Sequence, residues 1–138
     1  MALDDLGLQR AVGQYLEEWA ERSKLNIDVE INLDDRRLPQ PVETALFRVL
    51  QEAVSNVMKH SGAGRVGVVL QASDHEVRLI VEDDGRGFDV SRGPDGRELG
   101  MQHLGLIGVR ERLALVGGSL EVESSAQDGT TIYVRIPR

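Results

Sequence analysis

The chain has 138 residues, a formal net charge of −7 and no cysteine. This length is typical of one domain that buries a single core and needs no disulfide bonds or bound metal to hold it together. The lack of cysteine excludes a disulfide framework and a thiolate metal site, and three scattered histidines argue against a zinc centre. The acidic balance disfavours a general nucleic-acid binder, whose surface should be basic.

Targeting signals are also missing from the sequence. No stretch is long and apolar enough to span a bilayer, and the acidic start MALDDLGLQR is unlike a secretory signal. We therefore expect a soluble domain from a reducing compartment, with the cytoplasm as its default location and no contact with a membrane.

Apolar periodicity predicts the first elements in chain order. Three- and four-residue steps predict an amphipathic helix over residues 6–23, and alternation predicts a half-buried strand at 27–31. After the turn DDRRLPQP, an unbroken apolar stripe predicts a second helix from 41 to about 60, closed by the glycines of SGAG. The strands RVGVVLQA and EVRLIVED follow, joined as a hairpin through residues 73–75.

The last third of the chain begins with a segment of a different kind. Residues 88–102 carry three glycines, a proline and many charges without an apolar period, which predicts a long loop of a kind that is usually functional or disordered. A third helix is predicted over 103–116, ending at Gly117, and the strands SLEVES and TTIYVRIP complete the chain.

The order of these elements predicts the fold class. Every strand alternates apolar and polar residues, so the sheet has one apolar face and one wet face. The predicted fold is therefore an α+β two-layer sandwich, with a mixed, mostly antiparallel sheet and three helices on one face. Residues 1–138 form one domain in this interpretation.

Polar residues occur on the strands where apolar ones would be expected. Asp83 has the parity of Val81, so its side chain should point between sheet and helices, whereas Asp84 should point outward. Thr130 has the parity of Ile132 on the last strand. The sequence thus predicts an inward carboxylate and an inward hydroxyl at two strand ends.

The second helix adds a polar row beside its apolar stripe. Glu52, Asn56 and His60 are spaced four residues apart, and Lys59 flanks them. Taken singly, these residues and Asp83 have plain structural interpretations: a satisfied core amide, a helix-end cap, a turn or a solvated cation. Because buried polar groups need partners and these converge on one cavity, a polar ligand is the economical explanation.

The chemistry of these groups indicates which ligand. Asp83 would accept from an amine or ring N–H, and the polar row with Lys59 suits a metal-chelated phosphate. The third helix begins HLGLIGVRERL, where Gly105 and Gly108 would let the N-terminal N–H groups approach an anion. A site that accepts amines at one end and holds phosphates at the other indicates a nucleotide.

Four segments resemble, in order and spacing, the boxes of the catalytic ATP-binding domain of sensor histidine kinases, in the gyrase, chaperone, histidine-kinase and mismatch-repair ATPase superfamily. They are ALFRVLQEAVSNVMKH (N box), VEDDGRGF and HLGLIGVRERL (glycine boxes) and GTT at 129–131. QEAVSNVMKH with GVRERL is most similar to the subfamily whose response regulators carry helix-turn-helix output domains. The resemblance implies the Bergerat ATP-binding fold, with Mg²⁺ and ATP as cofactors.

The resemblance implies a role for each matching residue at the adenine end. Asp83 would accept the amino N–H of adenine, and Gly85 and Gly87 would give the backbone room beside the base. Thr130 would join this network through water.

It also implies roles at the phosphate end. Asn56 would be the Mg²⁺ ligand, and Glu52 resembles the proposed general base, which polarises the acceptor nucleophile or positions a water. Lys59 and His60 would contact phosphate, and residues 88–104 would be the ATP lid. The phosphate-binding end of that lid would comprise Gly105, Leu106 and Gly108.

Three departures from the family pattern affect these expectations. Asp84 stands where the family often has Asn, which should be tolerated because the residue points outward. The second glycine box has Gly105 and Gly108 in place of a close Gly-x-Gly. No histidine lies on an early, acidic-flanked helix, so the phosphoacceptor helix should precede the chain, with residues 1–5 as the junction and a monomer as the isolated state.

The resemblance implies that the domain binds Mg-ATP and donates the γ-phosphoryl group to a histidine on that separate dimerisation helix. A response regulator would be the downstream partner. Two alternatives stay open at this point: an anti-sigma-factor-type serine kinase, and a non-catalytic nucleotide-binding module of the same superfamily.

Overall fold

The structure, a computed structural model, describes residues 2–23, 25–33, 37–58, 64–85, 105–125 and 129–138. These residues contain three helices and five strands, in the predicted order. The elements are α1 (Ala2–Arg22), β1 (Asn26–Asn32), α2 (Gln40–Asn56), β2 (Arg65–Ala72), β3 (Glu76–Asp83), α3 (Ile107–Leu115), β4 (Ser119–Ser125) and β5 (Gly129–Pro137).

The strands form one mixed sheet in the order β1-β2-β3-β5-β4. β1 pairs with β2 in parallel, and the other three pairings are antiparallel. On β3, Leu79 and Val81 are 1% and 2% exposed, whereas Arg78 and Glu82 on the opposite face are solvent-exposed. The α+β sandwich predicted from the alternation is therefore confirmed, with all three helices on one face of the sheet.

The core lies between the helices and the inward face of the sheet. α2 contributes the most continuous stripe, in which Leu46, Val49 and Leu50 are at most 1% exposed. Fully burying a side chain of this size contributes about 1.5–3 kcal/mol, so this stripe fixes α2 along the sheet. α2 ends at Asn56, and the predicted end near residue 60 lies outside the described residues.

The bounds of α1 differ from the prediction. The helix begins at Ala2 rather than residue 6, and it is interrupted at Gly7, whose φ of 80° and ψ of 168° are not helical. A Cβ at this position would lie 3.0 Å from Cδ of Arg37, so the bare glycine also lets that side chain pack across the kink. The apolar period had located only the regular part of the helix.

The start of α3 also corrects the prediction. The helix begins at Ile107 instead of 103, because Gly105 has a φ of 70°, a left-handed conformation through which an α-helix cannot run. Its end is as predicted: Gly117 has a φ of 77°, and the N–H of Gly118 donates to the carbonyl of Leu113 at 2.7 Å. The predicted loop at 88–102 lies outside the described residues.

Within the described ranges, the helices include none of the length and apolarity needed to cross a membrane.

Candidate functional site

Three polar side chains form a row across one end of the sheet. Asp83 on β3 is paired with Thr130 on β5, and Thr130 is paired with Ser124 on β4. Asp83 and Thr130 are 9% and 8% exposed, so their predicted inward orientation is confirmed. The hydroxyl oxygens of Ser124 and Thr130 are 2.9 Å apart. Ser124 was missed in the sequence, although it shares the parity of Val122 and could have been found in that way.

The Asp83 carboxylate is held by backbone donors. The N–H of Gly85 donates to its Oδ1 at 2.9 Å, and the backbone of Thr130 also hydrogen-bonds to it. Burial raises the pKa of Asp83, and these hydrogen bonds only partly oppose that effect. A carboxylate has about four lone-pair sites, so the group keeps acceptor capacity for a ligand after the turn has been formed.

Gly129 allows the first residues of β5 to approach the end of β3. Its φ is 81°, and a Cβ there would overlap the carbonyl oxygen of Asp83. The Gly of the GTT segment is therefore required by the pairing that brings Asp83 and Thr130 together. In the sequence, this glycine was singled out only because GTT resembles a family motif, and the resemblance gave no physical reason for a glycine there.

Asp84 points outward, as expected, but it is bound to the neighbouring strand. Its Oδ1 accepts from the backbone N–H groups of Gly64 and Arg65, each at 3.0 Å, and its own N–H donates to the carbonyl of Arg65 at 3.3 Å. The hydrogen bond from Arg65 is the largest of the effects that lower the pKa of Asp84. Sequence reasoning missed these contacts, since the partners are 20 and 19 residues away in the chain.

The polar row of α2 faces the start of α3. Glu52 and Asn56 are partly buried and lie one helical turn apart. A Cβ at Gly105 would lie 3.2 Å from Oε2 of Glu52, so that carboxylate packs against the bare α-carbon of the glycine. The structure thus brings Glu52 and Gly105 together, whereas Lys59, His60 and Gly87 lie outside the described residues.

The N-terminus of α3 is open to a ligand in two respects. Leu106 is the N-cap residue and supplies no side-chain cap, so the first N–H groups of the helix are not satisfied in that way. Among the residues that the structure describes, a Cβ at Gly108 would meet no atom within 4 Å. The side chain of Leu106 is 0% exposed and belongs to the core, so this residue offers a ligand only its backbone.

The donor set of α2 fits a magnesium ion that is held mainly by phosphate. Asn56 supplies an amide oxygen, a hard ligand of the kind that Mg²⁺ accepts, beside the Glu52 carboxylate on the next turn. In the parts of the chain that the structure describes, no three His, Cys, Asp or Glu side chains cluster as a metal cage. Mg²⁺ characteristically uses one or two protein ligands together with substrate phosphates, so a single amide oxygen is compatible with it.

A groove of about 380 Å³ lies on the opposite, wet face of the sheet. Residues of β3, β4 and β5 line it, among them Ile80, Tyr133 and Arg135. None of the residues predicted for the site is among them. The groove is therefore separate from the polar row at the inward strand ends.

Comparisons with known proteins indicate the family to which this chain is similar. Residues 42–138 match the family described as "Histidine kinase-, DNA gyrase B-, and HSP90-like ATPase". The chain is 35% identical over 137 residues to the signal transduction histidine-protein kinase/phosphatase DegS of Brevibacillus brevis, and 36% identical over 140 residues to DegS of Bacillus subtilis (strain 168). Each alignment covers 99% of this chain, but only 34% and 36% of those relatives. The chain therefore spans about a third of their length.

Solved structures show the same fold. The catalytic domain of histidine kinase ThkA superposes with a TM-score of 0.65 at 21% identity, covering 99% of this chain and 92% of that one. The blue-light activated histidine kinase of Erythrobacter litoralis EL346 gives a TM-score of 0.65 at 22% identity, covering 96% of this chain and 44% of that one.

Proposed function

Because the chain belongs to the histidine kinase-, DNA gyrase B- and HSP90-like ATPase family, we propose that it is the catalytic domain of a two-component sensor histidine kinase. In this proposal it binds Mg-ATP and donates the γ-phosphoryl group to a histidine on a separate dimerisation helix. The observation that carries the proposal is the buried Asp83 carboxylate, which lies opposite Thr130 and keeps free acceptor capacity for a ligand.

At the adenine end, Asp83 accepts the exocyclic amino N–H of the base. The carboxylate is oriented by Gly85, whose N–H binds Oδ1, and is supported by Thr130 on the next strand. Thr130 in turn is held by the hydroxyl of Ser124. A buried acceptor of this kind discriminates strongly against bases that cannot donate, since it would be left without a partner.

At the phosphate end, Asn56 would hold Mg²⁺, and Lys59 and His60 would contact the phosphates. The metal would supply neutralisation of the phosphate charge. Backbone N–H groups at the start of α3, near Gly105 and Gly108, would bind phosphate oxygens, because a helix N-terminus favours an anion. Phosphoryl transfer needs little beyond such positioning and charge stabilisation.

In the reaction, a ring nitrogen of the acceptor histidine forms a bond to the γ-phosphorus while the bond to the β–γ bridging oxygen breaks and ADP leaves. In this proposal, Glu52 polarises that imidazole by accepting from its other ring N–H. The relatives are named histidine-protein kinases, which supports this function over the serine-kinase alternative. A response regulator would then receive the phosphoryl group.

Calorimetric titration of ATP and ADP, with and without Mg²⁺, tests the nucleotide site. We expect saturable binding that falls by about tenfold or more in Asp83→Asn, because a hydrogen bond to a charged group is worth about 1.5–3 kcal/mol. Asn56→Ala should remove the gain in ATP affinity that Mg²⁺ produces. Asp28→Asn, an exposed carboxylate on β1, is the control for lost negative charge.

Transfer itself is tested by adding the acceptor helix of the parent kinase with radiolabelled ATP. We expect label on its histidine, lost on acid treatment, and little transfer with Glu52→Gln. Absence of nucleotide binding by the folded wild-type chain would contradict the proposed function at its first step.

A further inference from the structure

We propose that Asp84 is a positioning residue for base recognition, which holds the turn that presents the Asp83 carboxylate to adenine. This inference rests on the proposed function, since it assumes that Asp83 binds the base. It adds to that function a second carboxylate whose part is to keep the first one in place.

The contacts of Asp84 extend the pairing of β3 with β2 beyond the last strand pair. That pair is Val66 with Asp83. One residue further on, Oδ1 of Asp84 accepts from the N–H groups of Gly64 and Arg65 at 3.0 Å each, while the Asp84 N–H donates to Arg65 at 3.3 Å. The side chain therefore replaces strand hydrogen bonds where the ladder ends.

The anchor that Asp84 binds is itself fixed. The carbonyl oxygen of Gly64 accepts from the N–H of Asn26 at 3.0 Å, which ties the same peptide to β1. Gly64 thus has its N–H bound to Asp84 and its carbonyl bound to the first strand. The backbone groups that bind Asp84 are therefore themselves part of the hydrogen-bonded sheet.

The consequence for Asp83 follows from chain geometry. Asp84 lies between Asp83 and Gly85, so its backbone torsions decide where the Gly85 N–H points. That N–H binds Oδ1 of Asp83 at 2.9 Å and sets the orientation of the carboxylate. On the other side, Gly129 packs directly against the Asp83 carbonyl. Releasing Asp84 would free one of the two restraints, and binding sites tolerate displacements of only about 0.5 Å.

The side chain of Asp84 acts as an acceptor at the correct distance, and this requirement separates its possible replacements. Asn keeps an oxygen with two lone pairs in the same place, so it can accept both N–H groups. Glu keeps the charge but moves the oxygens outward by one methylene. Ala removes the acceptor altogether.

The test compares ATP with purine riboside triphosphate, whose base lacks the amino group of adenine and has no N–H on the six-membered ring. Asp84→Ala should weaken ATP binding by about tenfold, the equivalent of about 1.4 kcal/mol, and change binding of the purine analogue by less than about twofold. The ratio of the ATP affinity to the analogue affinity therefore falls. Asp84→Asn should keep the wild-type ratio, and Asp84→Glu should lower it as Ala does.

If Asp84 had a purely structural role, its substitution would lower the melting temperature and weaken the binding of both nucleotides alike. Equal losses of affinity for ATP and the purine analogue in the Ala and Glu variants would overturn the inference. If Asp84→Ala does not fold, the Glu variant decides, and Asp28→Ala controls for the loss of an exposed negative charge. Failure of the wild-type chain to prefer ATP would be seen first, and it would contradict the proposed function itself.

Discussion

Gly129 shows how one residue decides whether the site can form. Its φ of 81° lies in the left-handed region, and a Cβ would overlap the carbonyl oxygen of Asp83. Gly117 has a similar φ of 77°, but a Cβ there would meet no atom of the described residues within 4 Å. The two glycines thus separate the cost of backbone strain from the cost of a collision.

We expect Gly129→Ala to lower the free energy of unfolding by about 2–5 kcal/mol, the sum of left-handed strain and forced overpacking. The matched control Gly117→Ala should cost only the strain, about 1–2 kcal/mol. Urea denaturation followed by circular dichroism measures both. Equal losses in the two variants would show that the close approach of β5 to Asp83 contributes nothing.

At the scale of elements, an ion pair with one buried partner, Glu43, fixes the start of α2. Glu43 is 2% exposed, and its carboxylate accepts from Nε and a terminal nitrogen of Arg37 at 3.2 and 3.0 Å. It also accepts from the N–H of Leu38 at 3.3 Å. Arg37 packs over Gly7, so this one carboxylate connects the kink of α1, the segment before α2 and α2 itself.

Truncating Glu43 to Ala should therefore destabilise the domain by about 1–3 kcal/mol, because a buried N–H loses its acceptor. The side chain of Arg37 is 57% exposed, so solvent takes over much of its lost pairing. Glu76→Ala is the contrasting control: its pair with Arg135 is exposed and should be worth less than about 1 kcal/mol. Chemical denaturation distinguishes these outcomes, and similar losses in both would contradict the role of Glu43.

For the molecule as a whole, the Asp83 carboxylate that serves the proposed function lowers the stability of the fold at neutral pH. Burial is the main cause that raises its pKa, and the charges of Asp84 and Glu82 add to it. A carboxyl whose pKa is higher in the folded state binds its proton more tightly there, so its ionised form lowers stability at neutral pH. This cost disappears as the pH falls through the folded pKa to below the unfolded value of about 3.9.

Asp83→Asn should accordingly raise the melting temperature of the nucleotide-free domain at pH 7 by a few degrees, with the gain shrinking as the pH falls to 4. Asp84→Asn is the control of opposite sign, because the pKa of Asp84 is lowered. Its loss of stability should be present at pH 7 and vanish in acid. If calorimetric scans across this pH range showed the melting temperatures of the two variants shifting in the same direction, the opposite pKa shifts of Asp83 and Asp84 would be contradicted.

Much of the fold and part of the site follow from the sequence alone. Helix stripes and strand parity depend on neighbours a few residues away, so they predicted the type and order of the described elements and the inward orientation of Asp83 and Thr130. The starts of α1 and α3 were predicted wrongly. The order of four short motifs was sufficient to indicate the family. The roles that the family resemblance implies for Glu52, Asn56, Gly105 and Gly108 remain predictions.

Tertiary structure decided the contacts that join distant parts of the chain. The sheet places β5 beside β3, and this order brings Gly129 against Asp83. The packing of α2 beside the start of α3 brings Glu52 against Gly105. The partners of Asp84, 20 and 19 residues earlier, depend likewise on strand register. Periodicity tells which way a side chain points, but what it meets depends on which elements become neighbours.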